Sequence, residues 1–537
     1  MSRPVAHRIA QVRPYVCATC LRGGRRGGQP IRLFSDGKVR RSERLPESIG
    51  VLELLEARGY IKDIAGDRNV LSNLLRKKQV GVYAGVDPTA PSLHLGHLLP
   101  LMVLFWFYLH GHHAVSLVGG ATARVGDPSG RLKSRERTAS SIHASNAQSL
   151  HVEVEKLWQN ATAAGQKHGY ECKTDWRRQL LDNADWLGKV DIVSFLQLLG
   201  SGMRIGTMLG RDTVKNKLEK GDGMSFAEFS YPLLQAWDWW HMFSNHGVQL
   251  QIGGSDQYGN IIAGIDAIKH LAQTDQGSES SKLDDLTAPM GITVPLLTTS
   301  KGEKFGKSAG NAVWLDASLT SPFDLYGFLL RTSDQDLPRH LNLFTFLPAA
   351  AIDSLLKEHS KDPSKRLAHH VLATEVLQLV HGIEIAAETQ TKHQEMRRPS
   401  LASLTRKPVT PGAERKAPNT DPDVTAEMHQ EIIKLARSQV ENTSIAKILH
   451  HAGLSPSVSA ATRVLRSGGV YVASSEGSAV RDSEAEAASG DGLMFTPVSV
   501  DQKLGDIASF VKDGVIVVRM GKWKVRVIEV VDDSEVD

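Results

Sequence analysis

The stretch YAGVDPTAPSLHLGHLLPL, residues 83–101, decides how the chain folds. Its first residues close a short apolar run, Val80–Val86, that stops at Asp87-Pro88. The chain then opens into Leu98–Leu109, an apolar run interrupted only by Pro100. A strand that ends in a loop and enters a helix is the first half of a βαβ unit. The N-terminus of such a helix presents unpaired N–H groups and the positive end of the helix dipole, which suits a phosphate. His94 and His97, three apart, fall on one face of the first turn. Gly96 between them lets a nucleotide lie against the backbone. By itself HxGH is a weak pattern, and two helix-capping histidines are the plainer reading.

Working outward, Ala114–Val118, Val248–Ile252 and Gly291–Leu297 are further strand-length apolar runs, with helical patterns between them. That alternation predicts an α/β domain built on a Rossmann-like parallel sheet. Residues 51–79 read as an amphipathic helix, with Leu52, Leu55, Ile61 and Ile64 at roughly helical spacing. Residues 322–388 read as helices, carried by Ala349–Glu358 and Arg366–Leu379. From 389 to about 425 five prolines punctuate the chain. Within 397–416, Arg397, Arg398, Arg406, Lys407, Arg415 and Lys416 face a single acid, Glu414, as in a basic linker. A compact α+β unit follows from about 443. A Ser/Glu/Ala/Gly-rich insertion, Ser474–Gly492, splits it, and it ends in a hairpin of Val515–Val518 and Lys524–Val530. The expected division is 1–34, a leader; 35–321, the α/β domain; 322–388, a helical domain; 389–442, the linker and a helix; and 443–537, the terminal unit with its insertion at 474–492.

The chain has 537 residues, 41% hydrophobic and 23% charged, values of an ordinary globular protein rather than a fibrous or disordered one. Three cysteines cannot staple it. The CxxC of Cys17 and Cys20 lacks the second pair that a four-ligand zinc site needs. The net charge of +4 is a leader effect: residues 1–35 hold seven arginines and no acid. Removing them leaves 56 of the 63 basic residues against 59 acids, a balance of −3. An Arg-rich, acid-free leader has the composition of a mitochondrial transit peptide, and Arg32-Leu33-Phe34-Ser35 resembles a processing site with cleavage after Phe34. The longest apolar run, Leu98–Leu109, is too short to cross a membrane, which takes about 20 residues.

A second element bears on phosphate chemistry. Lys304-Phe305-Gly306-Lys307-Ser308 follows the last strand, and lysines around a glycine hinge can close over a pyrophosphate as charge develops. HxGH on the first βα turn together with KFGKS on a late loop resembles the paired signature of class I aminoacyl-tRNA synthetases. The strings YAGVDPTAPSLHLGHLLPL, LVGGATARVGDPSG, FAEFSYPLLQAWD, LQIGGSDQYGNI and KFGKSAGNAVWLD look like the tyrosyl-tRNA synthetase family of bacteria and mitochondria. The resemblance runs over about residues 51–388 and resumes in the terminal unit.

The resemblance implies the following roles. Tyr83 and Asp238 hold the phenol hydroxyl of L-tyrosine; a ligand without that hydroxyl strands both groups. Asp127, Tyr231 and Gln235 take the ammonium group, and Gln257 orients the carboxylate. Tyr231, Gln235 and Asp238 stand at i, i+4 and i+7, one face of a helix. Thr89 and His94 meet the γ-phosphate of ATP. Gly85, Asp87, Gly96 and Gly254 lie along the nucleotide, His97 and Asp256 reach the ribose, and Lys304 and Lys307 hold the leaving pyrophosphate. The tyrosine carboxylate attacks phosphorus itself, so catalysis is positioning and charge stabilisation. Mg²⁺ accompanies ATP, and no protein-held metal is expected. The family usually has Trp at the position of Tyr258. RLKSRERT, residues 131–138, is two residues longer than the bacterial version, so Lys133, Arg135 and Arg137 stay equal candidates for its basic contact. Gln273–Ala288 also looks expanded.

In the terminal unit, SVSAATRVLRSGGV, residues 457–470, resembles a small RNA-binding module shared with a ribosomal protein. It puts Arg463 and Arg466 on one helix face, toward RNA phosphates. Ala460 and Thr462 replace an expected acid and an expected arginine. The family further implies tRNA(Tyr) as partner, a homodimer and the mitochondrial matrix. The rival readings are a tryptophanyl-tRNA synthetase, a small-molecule nucleotidyltransferase and an RNA-binding protein with a second role on group I intron RNA. The last rests on basic additions at 35–50, 131–138, 273–288 and 397–416.

Overall fold

The computed structural model describes residues 50–134, 139–170, 176–274, 283–297, 312–397, 433–440, 443–474, 494–498, 515–520 and 524–534. The leader, the lysine motif at 304–308, the linker from 398 and the insertion after Ser474 lie outside them.

Six strands make the first sheet: β1 (Asp63–Ala65), β2 (Gly81–Val86), β3 (His113–Val118), β4 (Arg178–Asp182), β5 (Val248–Gly254) and β6 (Met290–Val294). Their order is β1-β6-β5-β2-β3-β4. All neighbours are parallel except β1, which runs antiparallel to β6 at the edge. The chain winds outward from β2 through β3 to β4, then returns to the other side of β2 for β5 and β6. Such a reversal opens a crevice beyond the carboxyl ends of the strands. The four apolar runs read as strands are β2, β3, β5 and β6, each within a few residues of its expected bounds.

β2 shows how the strand alternation builds two layers. Val82 and Ala84 join the large core with the Leu98–Leu109 helix, whereas Tyr83 turns to the other core with Trp239, Ile261 and Ile265. Leu98–Leu109 is buried almost all round, and Pro100 is tolerated because it sits in the first turn.

Residues 51–79 are not one helix. Val51–Arg58 ends at Gly59, which takes the left-handed conformation (φ 81°). Asp67 then caps a second helix, Arg68–Lys77, accepting from the amides of Asn69 and Val70. Between them Ile64 pairs with Ile292 as part of β1. Ile64 is therefore half-buried as part of a strand, and Ile61, half-buried against the same core, lies just before it; neither belongs to a helix. β4 carries no apolar alternation and was absent from the sequence expectation.

The helices after residue 321 are Pro322–Leu330, Leu337–Phe344, Ala349–Lys361, Leu367–His381 and Ile383–Arg397. Their apolar residues belong to the same core as the sheet. Polar ties cross the expected boundary: the Tyr60 hydroxyl donates to Leu343 O at 2.8 Å, and His168 Nε2 meets Glu375 at 2.7 Å. The last helix runs to Arg397, through the first residues expected as linker.

The terminal unit has its own sheet, ordered β7 (Ile433–Ala436), β11 (Lys524–Val531), β10 (Val515–Met520), β8 (Val470–Ser474), β9 (Met494–Pro497). The β10–β11 hairpin is as expected. β7 pairs parallel with β11, so the unit begins by residue 433 rather than 443. Helices Ile445–His451 and Val458–Arg466 close one face around Leu449, Leu465, Val472 and Ile528. No described helix is long and apolar enough to cross a membrane.

Candidate active site

The carboxyl ends of β2, β3, β4 and β5 deliver the site. The helix Phe226–His246 supplies its wall. That helix starts at a capping box in which Ser225 and Glu228 satisfy each other's backbone N–H. It presents Tyr231, Gln235 and Asp238 along one side, as their spacing predicts.

At the inner end lie Tyr83 and Asp238, each 2% exposed. Asp238 accepts from Trp186 Nε1 at 2.7 Å and from Asn183 Nδ2 at 2.8 Å. Burial nevertheless pushes its carboxyl up to about 8; the two donors oppose that rise, and the charges of Asp87 and Asp182 add to it. The Tyr83 hydroxyl is buried with no hydrogen-bond partner. Burial and the charge of Asp238 hold its pKa well above the usual phenol range. An orphan hydroxyl is costly in the free protein, and beside a buried carboxyl it marks the seat of a third polar group.

The network continues outward. Asn183 Nδ2 also donates to Thr122 Oγ1 at 2.9 Å, and Thr122 donates to Asp87 at 2.7 Å. The Tyr231 hydroxyl donates to the other Asp87 oxygen at 2.8 Å. Asp87, expected on the nucleotide side, and Tyr231, expected on the amino-acid side, are thus directly bonded. A second knot surrounds Asp127, which accepts from Gln257 Nε2 at 2.7 Å and from the Ser129 amide at 2.9 Å. Asn260 bridges Gln235 and Gln257, at 3.1 Å each.

On the nucleotide side His94 and His97 stack with ring centroids 3.7 Å apart. His94 Nδ1 accepts from the Gly96 amide at 3.1 Å, and His97 Nδ1 accepts from the His94 amide at 3.2 Å. The capping role is therefore real: with Nδ1 an acceptor, the neutral ring carries its proton on Nε2 and keeps a donor there. A Cβ at Gly96 would stand 3.0 Å from the His94 ring, so glycine here makes room for the imidazole as well as for a nucleotide. Thr89 and Gly85 are exposed at the mouth, and Gly254, Asp256 and Gln257 form the turn after β5.

The loop is fixed from two directions. Glu153, from the Ser140–Lys167 helix, accepts from the Leu93 amide at 2.8 Å and from Ser92 Oγ at 2.9 Å. Residues after the lysine motif pair with it too: Leu95 N–H donates to Val313 O, and Leu315 N–H donates to Leu93 O. Lys304 and Lys307 themselves lie outside the described residues. Glu153→Ala should destabilise the protein by about 1–3 kcal/mol, the cost of orphaning a buried donor, and by loosening the histidine loop should slow the nucleotide-dependent step while leaving amino-acid affinity unchanged. Stopped-flow and equilibrium binding on one preparation separate the two.

Sequence reading missed Thr122, Glu153, Asn183, Trp186 and Asn260. Thr122 and Asn260 stood inside quoted motif strings. The other three sit on a helix and after β4, where no short-range pattern marks them. Arg463 and Arg466 are exposed on one helix of the terminal unit, as expected.

The buried acid has a pH consequence. A carboxyl whose folded pKa is raised stabilises the protein below its unfolded value, near 4, and that contribution is lost as pH rises toward about 8. The ligand-free protein should therefore lose thermal midpoint between pH 5 and 8.5, and Asp238→Asn should flatten that slope. A parallel decline in both proteins would contradict the assignment.

A doubly wound sheet with HxGH on its first βα turn and a buried polar cluster beside it fits a class I aminoacyl-tRNA synthetase. The family described as tRNA synthetases class I (W and Y) matches residues 75–397, and the tyrosyl-tRNA synthetase C-terminal domain matches residues 424–537. The mitochondrial tyrosine–tRNA ligase of Podospora anserina is 41% identical over 491 residues, 90% of this chain and 75% of that one. The human mitochondrial tyrosine–tRNA ligase is 43% identical over 343 residues, 62% of this chain and 68% of that one. The crystal structure of a C-terminally truncated Aspergillus nidulans mitochondrial tyrosyl-tRNA synthetase is 48% identical, with TM-score 0.61, over 65% of this chain and 95% of that one. The chain belongs to the tyrosyl-tRNA synthetases of class I.

Proposed function

We infer that the protein is a mitochondrial tyrosine–tRNA ligase that activates L-tyrosine with ATP, releases pyrophosphate and transfers tyrosine to the 3′ end of tRNA(Tyr) in the matrix. One observation carries the choice of amino acid: the Tyr83 hydroxyl is buried and unpaired beside the buried Asp238. A phenol hydroxyl completes that pair, and an indole offers none, which disfavours tryptophan. A small-molecule nucleotidyltransferase would not need the terminal RNA-binding module.

In the proposed mechanism Asp238 and Tyr83 seat the phenol. Asp87, Asp127, Tyr231 and Gln235 form the polar wall that takes the ammonium group, and Gln257 orients the carboxylate toward the α-phosphorus. His94, His97, Thr89 and Asp256, with Gly85, Gly96 and Gly254, receive ATP. Lys304 and Lys307 follow charge onto the pyrophosphate. Mg²⁺ arrives with ATP and neutralises phosphate charge there. ATP–pyrophosphate exchange across the twenty amino acids tests the reading: exchange with tyrosine alone is expected, and exchange with tryptophan would refute it.

The proposed homodimer has a specific support. Ile192, Val193, Leu196, Leu198, Ile205 and Leu209 are large apolar side chains exposed on the short helices Ile192–Leu198 and Ile205–Leu209, the kind of exposure that an interface would cover. The acid-free, Arg-rich leader supports cleavage near Phe34, and the additions at 35–50, 131–138, 273–288 and 397–416, several of them rich in Arg and Lys, support a second role on group I intron RNA. Terminal sequencing of organelle-purified protein, with Met1 retained, would exclude the first. Absence of salt-dependent intron binding would exclude the second.

A further inference from the structure

We propose that Asp334, His359 and His369 form a divalent-cation site, suited to Zn²⁺, in the helical layer outside the catalytic crevice. His359 lies near the end of the Ala349–Lys361 helix and His369 in the first turn of Leu367–His381, while Asp334 comes from the turn before Leu337–Phe344. Three separate segments thus converge on one point. His359 Nε2 is 3.1 Å and His369 Nε2 is 3.5 Å from the same Asp334 oxygen. The three donor atoms all lie within 4.8 Å of one another. Zinc bonds of about 2.0–2.2 Å place tetrahedral donors roughly 3.3 Å apart, so the set needs little movement to close on an ion. The Thr332 carbonyl, 2.9 Å from His369 Nε2, is at hand as a fourth donor.

The surroundings favour a structural rather than a catalytic ion. The two imidazoles are 6% and 1% exposed, and their rings pack edge to face at 5.2 Å. Only the carboxylate faces solvent, which leaves an entry path on one side. Metal binding through Nε2 requires each ring proton to move to Nδ1. Both Nδ1 atoms are buried without a partner, so that move breaks no bond at Nδ1. The same absence means that no neighbour raises the basicity of the ligands, a support worth about 10–100-fold in affinity elsewhere. Arg366, whose Nη1 donates to Leu330 O at 2.6 Å, also acts on Asp334 and His369 and competes with the ion for the carboxylate. The expected site is therefore of moderate affinity. Its ligand spacing matches no short zinc motif, which is why sequence reading expected no metal.

The test uses the full chain after chelator treatment, titrated with Zn²⁺ alone against a chromophoric competitor. Asp334→Asn alters an exposed side chain and should fold normally; His369→Gln is the buried counterpart. The wild type is expected to take up one more equivalent per chain than either variant. Asp334→Asn should weaken that equivalent at least about 10-fold, and zinc should raise the thermal midpoint of the wild type alone. Co²⁺ in place of zinc should give tetrahedral d–d absorption that Asp334→Asn abolishes. Equal zinc uptake by wild type and Asp334→Asn, with no zinc-dependent midpoint shift, would overturn the site and leave the cluster as hydrogen-bonded packing. Zinc held by Cys17 and Cys20 would be common to all three proteins and cancels in the comparison.

Discussion

Asp238→Ala is expected to lower kcat/KM for tyrosine at least about 100-fold, near 3 kcal/mol, and to erase most of the preference for tyrosine over phenylalanine. Two losses add. The phenol loses a bond to a carboxyl, worth about 1.5–3 kcal/mol when the acid is ionised. Asn183 and Trp186 lose the acceptor that both now share, and each orphaned buried donor costs about 1–3 kcal/mol. Part of that second cost falls on the free protein, so its stability should drop too. Tyr83→Phe offers the contrast. It removes a hydroxyl that is unpaired in the free protein, so it should stabilise the free protein or leave it unchanged while costing tyrosine about 0.5–1.5 kcal/mol. Steady-state exchange with tyrosine and phenylalanine, beside thermal unfolding of each variant, reads both quantities. Unchanged discrimination in the two variants would place the phenol elsewhere.

The parallel sheet was legible because its four inner strands are apolar runs of strand length with turn residues at their ends. What escaped was whatever lacks that signature. β4, Arg178–Asp182, is an outer strand of half-buried residues without alternation. β1 is three residues long, and its isoleucines mimic helical spacing. β7, Ile433–Ala436, lies eighty-eight residues before its partner β11, and a pairing across that distance leaves no local trace. How the helical layer packs was not legible for a related reason. Periodicity shows which face of a helix is apolar but not which neighbour covers it, and here the sheet's own core does.

Within the site, the sequence points to residues on motif strings and not to the residues that hydrogen-bond to them. Tyr231, Gln235 and Asp238 could be placed together because helical geometry ties i, i+4 and i+7. Asn183 and Trp186 reach Asp238 from the far end of β4, and Glu153 reaches Leu93 from sixty residues away. Only the fold brings these together. The structure also changes the meaning of what was found. Asp87 and Tyr231 were assigned to different substrates, yet their direct bond makes them one unit. A substitution at either should therefore disturb both tyrosine and nucleotide steps.

Lys307→Ala is expected to slow tyrosyl-adenylate formation by about 2.7–4 kcal/mol, or 10²–10³-fold, with little change in tyrosine affinity. The lysine lies outside the described residues, but its chain neighbours constrain it. On one side β6 ends at Val294, paired with Gly254 of β5, two residues before Asp256. On the other, residues 313–315 are bound to residues 93–95 of the histidine loop. The described residues that flank the lysine motif are thus held beside residues proposed to receive ATP, Val294 beside Gly254 and residues 313–315 beside the histidine loop. In the proposed mechanism the two substrates draw on different groups. Tyrosine binding draws on Tyr83, Asp238 and the Asp127 knot, all preformed. Pyrophosphate departure draws on groups that must meet charge as it develops, and a group of that kind lowers the barrier without tightening the ground state. Pre-steady-state adenylate formation in Lys307→Ala, measured beside equilibrium tyrosine binding, decides the matter. A normal rate would remove the lysine from the reaction, and a lost rate with lost tyrosine affinity would make the segment structural.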